Sequence, residues 1–543
     1  MKNFNNYKTN VKDWDKTLES YVDWVSKTRL RGYFAREIKI NNISLWWVTN
    51  ICTKQNLEKN RWYYDLKDCF TQNKKIKYNK LNFYFIFFIQ FLKNFIIHSI
   101  WFLIIRFLSF SRYKKIKRKN CFHSINYNVL KKNNFLFDRC YGKLPFINFT
   151  NNNFHIISII KKTHFFSNFF NRRKFKKNIP YVVADEYSSI FDVFYIYYKT
   201  IIYFFKLKIF ISKNHKIFNI KGIDCRNVLE PFLLMSFAGE IQTQLFRGMS
   251  INNFIKRNKI KLFITYAEFN PGIRALYFFI RSVSHPPKII TIQHGHNNKN
   301  LMWYCHKKNE FTKNSLHEGQ YYSPSPDFYL TQGNQFNKIL SRYFHNKSKI
   351  IGGLKYDNYK FKIKKSIKLN KIKLKNKNKK IILLCPSVGD ERRILDYLKK
   401  SVNFNFRYIL SPHPVLYKRR ERVINQYTQE LKNKCNLEVY NDISTFELIS
   451  VANIVICGFS SVGYEALFFG AQSIRVVNAK HPQFFDPRDN LLVAHSPDKL
   501  KQLLNKKSLF KTKKSARKKF LKNYFYKFDN KAHERFWNFV SRI

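Results

Sequence analysis

NIVICGFSSVGYEALFFGAQSIRVVN, residues 453–478, holds two runs of branched apolar residues with a helical segment between them. The first run begins at Asn453 and stops at Gly458. Ser460 and Ser461 stand where a helix takes its cap, and Gly470 closes the helix before the second run opens at Gln472. Strand, helix and strand in so short a span form a crossover unit, whose strands pair in parallel. Further strands follow outward from it: IILLCPSV at 381, FRYILSPHP at 406 and LEVYND at 437. The intervening helices are ERRILDYLKKSV, Lys418 to Lys434 and STFELISVA, which open near capping or charged residues such as Glu391, Ser444 and Ser461. A Rossmann-like domain is expected over 381–543.

Upstream, PYVVADE at 180, KLFITYAEFN at 261, KIITIQHG at 288 and DFYLTQG at 327 repeat the strand-then-turn pattern, with GIRALYFFIRSV as a helix among them. A second Rossmann-like domain is expected over 178–365, joined to the first by the polar, basic segment 366–380. Ahead of both lies an N-terminal region, 1–177, in which ISLWWVTNIC reads as a buried strand or helix start and Lys114 to Asn134 as loops. The apolar stretch 82–110 runs into RYKKIKRK at Arg112, giving an apolar and basic segment over 82–119. Lys93, His98 and Arg106 count against a clean bilayer span. Two readings remain open there, a pair of helices packed in a core and an interfacial segment on an anionic leaflet.

At 543 residues the chain exceeds one ordinary core, and 45% hydrophobic and 18% aromatic content excludes a disordered chain. One hundred Lys and Arg against 34 Asp and Glu give a net charge of +66, which attracts phosphorylated metabolites, polyanions and anionic lipid. Lys, Asn, Ile, Phe and Tyr are also the residues of A/T-rich codons, and no recognition motif accompanies the charge, so nucleic acid is not expected as a partner. Nine Cys without a CxxC pair fit neither a disulfide framework nor a zinc site and point to a reducing cytoplasm. No apolar signal segment opens the chain.

In open α/β sheets ligands sit beyond the carboxyl ends of the strands. Four places there carry chemistry. Ser460 and Ser461 at the start of a helix, with Gly463 allowing close approach, make an anion cradle, and Glu465 one turn on is placed for a ribose diol. An ordinary serine cap explains the same residues. His413, between two prolines, is rigid and suits a phosphate. His294, before the turn at Gly295, suits a general base or a phosphate ligand. Asp185, Glu186 and Glu268 put carboxylates at strand ends, where either a base or a helix cap is found. GxGxxG after a strand and the P-loop motif are absent, and Asp13-Trp14-Asp15 lacks a preceding strand, so no metal or other cofactor is expected.

Gln293-His294-Gly295 in the first domain, then Ser411-Pro412-His413-Pro414 and GFSSVGYEALFFG in the second, resemble GT-B glycosyltransferases of bacterial surface polysaccharides such as capsule and O-antigen. His413 with Pro414 and the serine pair resemble the elements by which bacterial sialyltransferases hold a CMP-sugar. The same landmarks are similar to the CDP-glycerol glycerophosphotransferases, in which a histidine before glycine is a proposed base. ISLWWVTNICTKQN resembles an N-terminal signature of surface-carbohydrate biosynthesis proteins. The resemblance implies two Rossmann-like domains facing across a cleft and an inverting, metal-independent transferase moving a sugar from a nucleotide donor, CMP-sugar favoured, to a surface glycan or lipid-linked acceptor. The alternative it implies is CDP-alditol phosphate transfer. His413, Ser460 and Ser461 would then grip donor phosphate and Glu465 the ribose. The base stays open among Asp185, Glu186, Glu268 and His294: Tyr187 stands where the sialyltransferase acid pair has glycine, and Gln293 where the glycerophosphotransferases have tryptophan. The setting implied is cytoplasmic, with peripheral contact at the inner face of the plasma membrane.

Overall fold

The computed structural model describes residues 19–53, 65–66, 68–70, 79–108, 117–125, 129–132, 135–138, 140–142, 144–146, 152–158, 181–266, 270–295, 306–311, 321–341, 348–357, 367–375, 379–386, 390–412, 425–426, 428–431, 434–435, 437–440, 443–458, 460–477, 492–506, 514–527 and 529–543. Two wholly parallel sheets organise it. The first contains β1 (Asn120–Ile125), β2 (Asn153–Ser158), β3 (Tyr181–Val183), β4 (Leu262–Tyr266), β5 (Lys288–Ile292), β6 (Phe328–Thr331) and β7 (Ser348–Ile350), in the spatial order β7-β6-β5-β4-β1-β2-β3. The second contains β8 (Lys380–Cys385), β9 (Phe406–Leu410), β10 (Leu437–Val439), β11 (Ile454–Cys457), β12 (Gln472–Val476) and β13 (Leu492–Ala494), in the order β10-β9-β8-β11-β12-β13. Each order turns back on itself once, between β1 and β4 and between β8 and β11, which is the doubly wound pattern and its switch point. The architecture is the α/β, GT-B-like pair of Rossmann-like units expected from the sequence.

The strands are apolar on both faces because helices cover both faces. Ile382, Leu384, Ile454 and Ile456 pack into one layer, and Ile381, Leu383, Val455 and Cys457 into the opposite one, the period of two that a strand imposes. Local chemistry marks the helices. Ser189 and Asp192 form a reciprocal capping box on α2 (Ile190–Lys213). Asn270 accepts from Gly272 N ahead of α4 (Pro271–Arg281), whose first residue is proline. α6 (Glu391–Ser401) follows β8, and Gly470, at φ 92°, ends α7 (Val462–Phe469) in the left-handed conformation.

Three features depart from the sequence reading. β1 and β2 lie in the expected N-terminal region, so the first sheet begins well before residue 178. The expected linker contains α5 (Ile367–Lys375), whose Leu369 and Ile372 are buried against the second sheet. The stretch read as two helices in a core or as an interfacial segment is one helix, α1 (Lys80–Leu108), with part of its length packed on α2 and α3 (Glu240–Arg257) and much of its apolar surface exposed. ISLWWVTNIC is buried as read: Leu45, Trp46, Trp47 and Val48 are fully enclosed.

The chain's end crosses back. From α8 (Lys514–Phe525), Phe520 and Tyr524 stack on Tyr464 of α7, while α9 (Ala532–Val540) sets Phe536 and Trp537 among Phe122, Ile264 and Ile290 of the first sheet.

Candidate functional site

At the switch point of the second sheet, β11 ends in Cys457 and Gly458, and the chain turns through Ser460 and Ser461 into α7. The turn is clamped from the neighbouring strand. Arg475 of β12, opposite Cys457 in the ladder, is fully buried and donates from Nη1 to Gly458 O at 2.7 Å and to Ser460 O. Asp390, fully buried, lies against Gly458 so closely that a Cβ there would stand 2.0 Å from its Oδ2. A Cβ at Gly463 would stand 2.5 Å from Arg475 Cζ, so glycine at this position is what lets α7 start over the guanidinium.

The two serines divide the capping work. Ser460 Oγ accepts from Val462 N at 3.3 Å, whereas Ser461, at the cap position, makes no cap hydrogen bond with its side chain. The helix start is therefore held by Arg475 and Ser460, with the hydroxyl of Ser461 outside the capping scheme. Glu465 is buried and points at the other half of the molecule: its Oε1 accepts from Lys355 Nζ at 2.7 Å and from Tyr356 OH at 2.9 Å. Tyr356 packs edge-on to Phe446 and Phe525.

In the first sheet, His294 and Gly295 follow β5. Gln293 fixes this turn: its Nε2 donates to Gly295 O at 2.6 Å and its Oε1 accepts from Gln332 N at 2.7 Å at the end of β6. The imidazole of His294 lies over the ring of Tyr266 at 5.4 Å and 14°, and its Nδ1 meets Cys140 Sγ at 3.1 Å. One buried carboxylate holds both supports, since Asp138 accepts from Cys140 N through Oδ1 (2.7 Å) and from Tyr266 OH through Oδ2 (2.8 Å). Burial, and then the charge of Lys355, push the pKa of His294 down to about 4, so the ring is neutral at neutral pH. Lys355 thus lowers the pKa of His294 and binds Glu465, so one cation acts on a group after β5 and on another in the helix after β11.

Asp185 and Glu186 are elsewhere. They sit, both buried, in the turn after β3, at the edge of the first sheet, where Asp185 Oδ2 accepts from Trp101 Nε1 of α1 at 3.2 Å. Between β3 and β5 stand β2, β1 and β4, so these carboxylates are separated from His294 by four strand spacings, about 19 Å. His294 and Gly295 follow β5, Ser460, Ser461, Gly463 and Glu465 stand on the turn and helix that follow β11, Glu465 alone of these reaches across to Lys355 and Tyr356, and Asp185 and Glu186 lie apart. His413, Glu268 and Asp13-Trp14-Asp15 lie outside the described residues. Among the described residues no group of three or more His, Cys, Asp or Glu is arranged to hold a metal ion.

Sequence reasoning missed Asp138, Cys140, Lys355, Asp390 and Arg475. The one available signal was a charged residue inside the apolar run QSIRVV. The others act through contacts between distant segments.

No family model and no curated protein matches this chain. Among solved structures it is similar to the wall teichoic acid polymerase TagF, with 13% identity and a TM-score of 0.42 over 86% of this chain and 98% of that one. It is similar also to a putative UDP-N-acetylglucosamine 2-epimerase from Listeria monocytogenes, with 10% identity and a TM-score of 0.45 over 78% of this chain and 96% of that one. S. aureus MnaA with UDP gives 12% identity and a TM-score of 0.41 over 78% and 96%. At these values no residue role is carried across.

Proposed function

We infer that this chain is a transferase of surface glycan synthesis that takes a nucleotide-activated sugar or alditol phosphate, with its donor phosphate at the start of α7. The observation that carries the reading is the line from His294 through Lys355 to Glu465. It joins a neutral histidine at one sheet's carboxyl end to the helix whose N-terminus bears Ser460 and Ser461 at the other. As the donor bond breaks, negative charge grows on the nucleotide phosphate; the positive end of the α7 dipole and the Ser461 hydroxyl would meet it, with His413 as a further ligand. Arg475 acts behind the turn by fixing its carbonyls, so the cradle needs no reorganisation as charge develops. The acceptor hydroxyl gives its proton to His294. With Nδ1–H donated to the Cys140 sulfur, Nε2 carries the lone pair for that step. Direct in-line attack inverts the reacting centre.

A sugar donor such as a CMP-sugar and a CDP-alditol donor both fit a phosphate at α7. The separation of Asp185 and Glu186 from His294 favours the second reading, because the sialyltransferase-like pattern draws its base from the acid pair and the glycerophosphotransferase-like one from the histidine. Thermal-shift and calorimetric titration with CMP, CDP, UDP, GDP and ADP in EDTA tests the reading, since a ligand of the native state raises Tm. Stabilisation by CMP or CDP is expected, lost in the Ser460→Ala, Ser461→Ala pair and in His413→Ala. Wild-type-like binding by those variants would place the donor elsewhere. Competition between CDP-glycerol and CMP-sugars then separates the two donor classes.

A further inference from the structure

α1 is apolar over most of its circumference, interrupted by Lys93 and Arg106. One side is tied to the body of the protein: Asn94 Nδ2 donates to Ala238 O at 2.7 Å, His98 Nδ1 meets Tyr197 OH at 2.8 Å, and Trp101 Nε1 reaches Asp185. The other side is open, with Phe85 66%, Leu92 57% and Phe107 81% exposed along some six turns. α2 repeats the pattern, with Phe191 75%, Tyr198 62% and Ile209 56% exposed.

The two helices pack antiparallel, since Phe87 stacks on Phe204 at 4.1 Å while Phe95, two turns later on α1, meets Phe194, nearly three turns earlier on α2. On each helix the exposed stripe runs about one residue beyond the contact line. Rotation of about 100° per residue, applied to two helices of opposite direction, carries both stripes to the same side of the pair. They form a single apolar face two helices wide, far more than scattered surface hydrophobics.

Charge identifies what covers it. α1 contains no Asp or Glu, and the one acid of α2, Asp192, is bonded by Ser189 N. Beyond the α2 stripe, Lys39, Lys199 and Lys206 line a recess of about 380 Å³ that Glu37 shares, and RYKKIKRK follows α1 in sequence. A second copy meeting this face would set cations against cations on a chain of net charge +66. We propose that the joint α1–α2 face lies in the interfacial layer of an anionic bilayer, with its lysines on lipid phosphates. The segment 81–107 is long and apolar enough to cross a membrane, yet its inner side is bonded to the elements that carry the first sheet, so the helix lies along the leaflet.

This surface goes beyond the transferase reading and is tested without nucleotide. The full chain is sedimented with phosphatidylcholine vesicles, with and without phosphatidylglycerol, at low and high salt. Wild type is expected to pellet with the anionic vesicles. The exposed pair Leu92→Glu, Tyr198→Glu should lower vesicle affinity by more than about tenfold with Tm unchanged, and Lys199→Glu, Lys206→Glu should remove the preference for anionic over neutral lipid. Wild type remaining in the supernatant overturns the proposal, as does a Leu92→Glu, Tyr198→Glu variant that pellets like wild type. So does light scattering that shows a wild-type dimer broken by that pair while vesicles stay unbound. Nucleotide binding measured on the same samples keeps the donor site's success or failure separate.

Discussion

His294 owes its state to three neighbours contributed by different strands and turns. Tyr266 supports its ring, Cys140 takes its Nδ1, and Asp138 fixes both supports. Because burial and Lys355 hold its pKa near 4, below the usual value of about 6.5, the acid limb of kcat/KM is expected near pH 4, and pH–rate profiles check it. Asp138→Asn weakens the orientation of the ring without touching donor phosphate. Expected is a fall in kcat of about ten- to hundredfold with nucleotide affinity unchanged and the acid limb displaced; an unchanged profile would remove Asp138 from the scheme. The same histidine couples to stability together with His123 and His155, whose pKa values burial lowers to about 3 and about 4. Their folded-state values lie below the unfolded one, so the unfolded chain binds more protons in acid. Their contribution is complete above about pH 6.5 and is lost as pH falls toward 4, and for His123 toward 3, at no more than about 1.4 kcal/mol per pH unit for each, which urea titrations across that window measure. Gly463 makes a second residue-scale case. Alanine gains helix propensity of about 1 kcal/mol, but its Cβ would meet the immobile Arg475 guanidinium at 2.5 Å. Overpacking of about 1–3 kcal/mol outweighs the gain, so Gly463→Ala is expected to lower both Tm and donor affinity.

Elements that are apolar, short and bounded by turn residues were legible in the sequence: β3 to β6 and β8 to β12 fall where the runs VV, LFITY, KIITI, FYL, KIILLC, FRYIL, LEV, IVIC and QSIRV stand. β1 and β2 were not, because NCFHSI and NFHIIS place His and Asn in central strands, where burial against Thr265 and the neighbouring ladder tolerates them as neutral rings. α5 hid in a run of lysines, since two inward positions, Leu369 and Ile372, suffice to dock it. Within the site, the serine pair and His294 were visible because they follow strand ends. Lys355 was not, because it lies after β7 and its partner lies on α7, 110 residues on. That pair belongs to the element scale: it is 14% and 4% exposed and ties the loop after β7 to α7. Lys355→Met leaves the Glu465 carboxylate buried with Tyr356 alone, an expected loss of about 3 kcal/mol. Lys355→Met with Glu465→Leu is expected to recover most of it. In the single variant the Coulombic depression of His294 also disappears, so the acid limb moves upward, which distinguishes loss of the charge from simple loosening.

At the scale of the molecule the two sheets are coupled by a chain that visits the second and returns to the first. α8 stacks on α7, and α9 then inserts Phe536 and Trp537 beneath β1 and β4, where His533 also bonds to Asp357 through its backbone N and Nδ1. The last fifteen residues therefore complete a core whose other members lie at least 178 residues earlier in sequence. Nothing in their composition announces this, since an amphipathic helix at a chain end docks equally well on its own domain. The consequence is cooperative: unfolding of the second half must release α9, and the first half then loses Trp537 from its centre. Wild type is expected to melt in one transition. Trp537→Ala removes about 3–5 kcal/mol from the first half alone, so calorimetry should show its melting moving ahead of the second half's, with nucleotide still raising the later transition. If the variant melts in one transition displaced as a whole, the halves are joined chiefly through Lys355 and Glu465, and the double substitution there is the one that would part them.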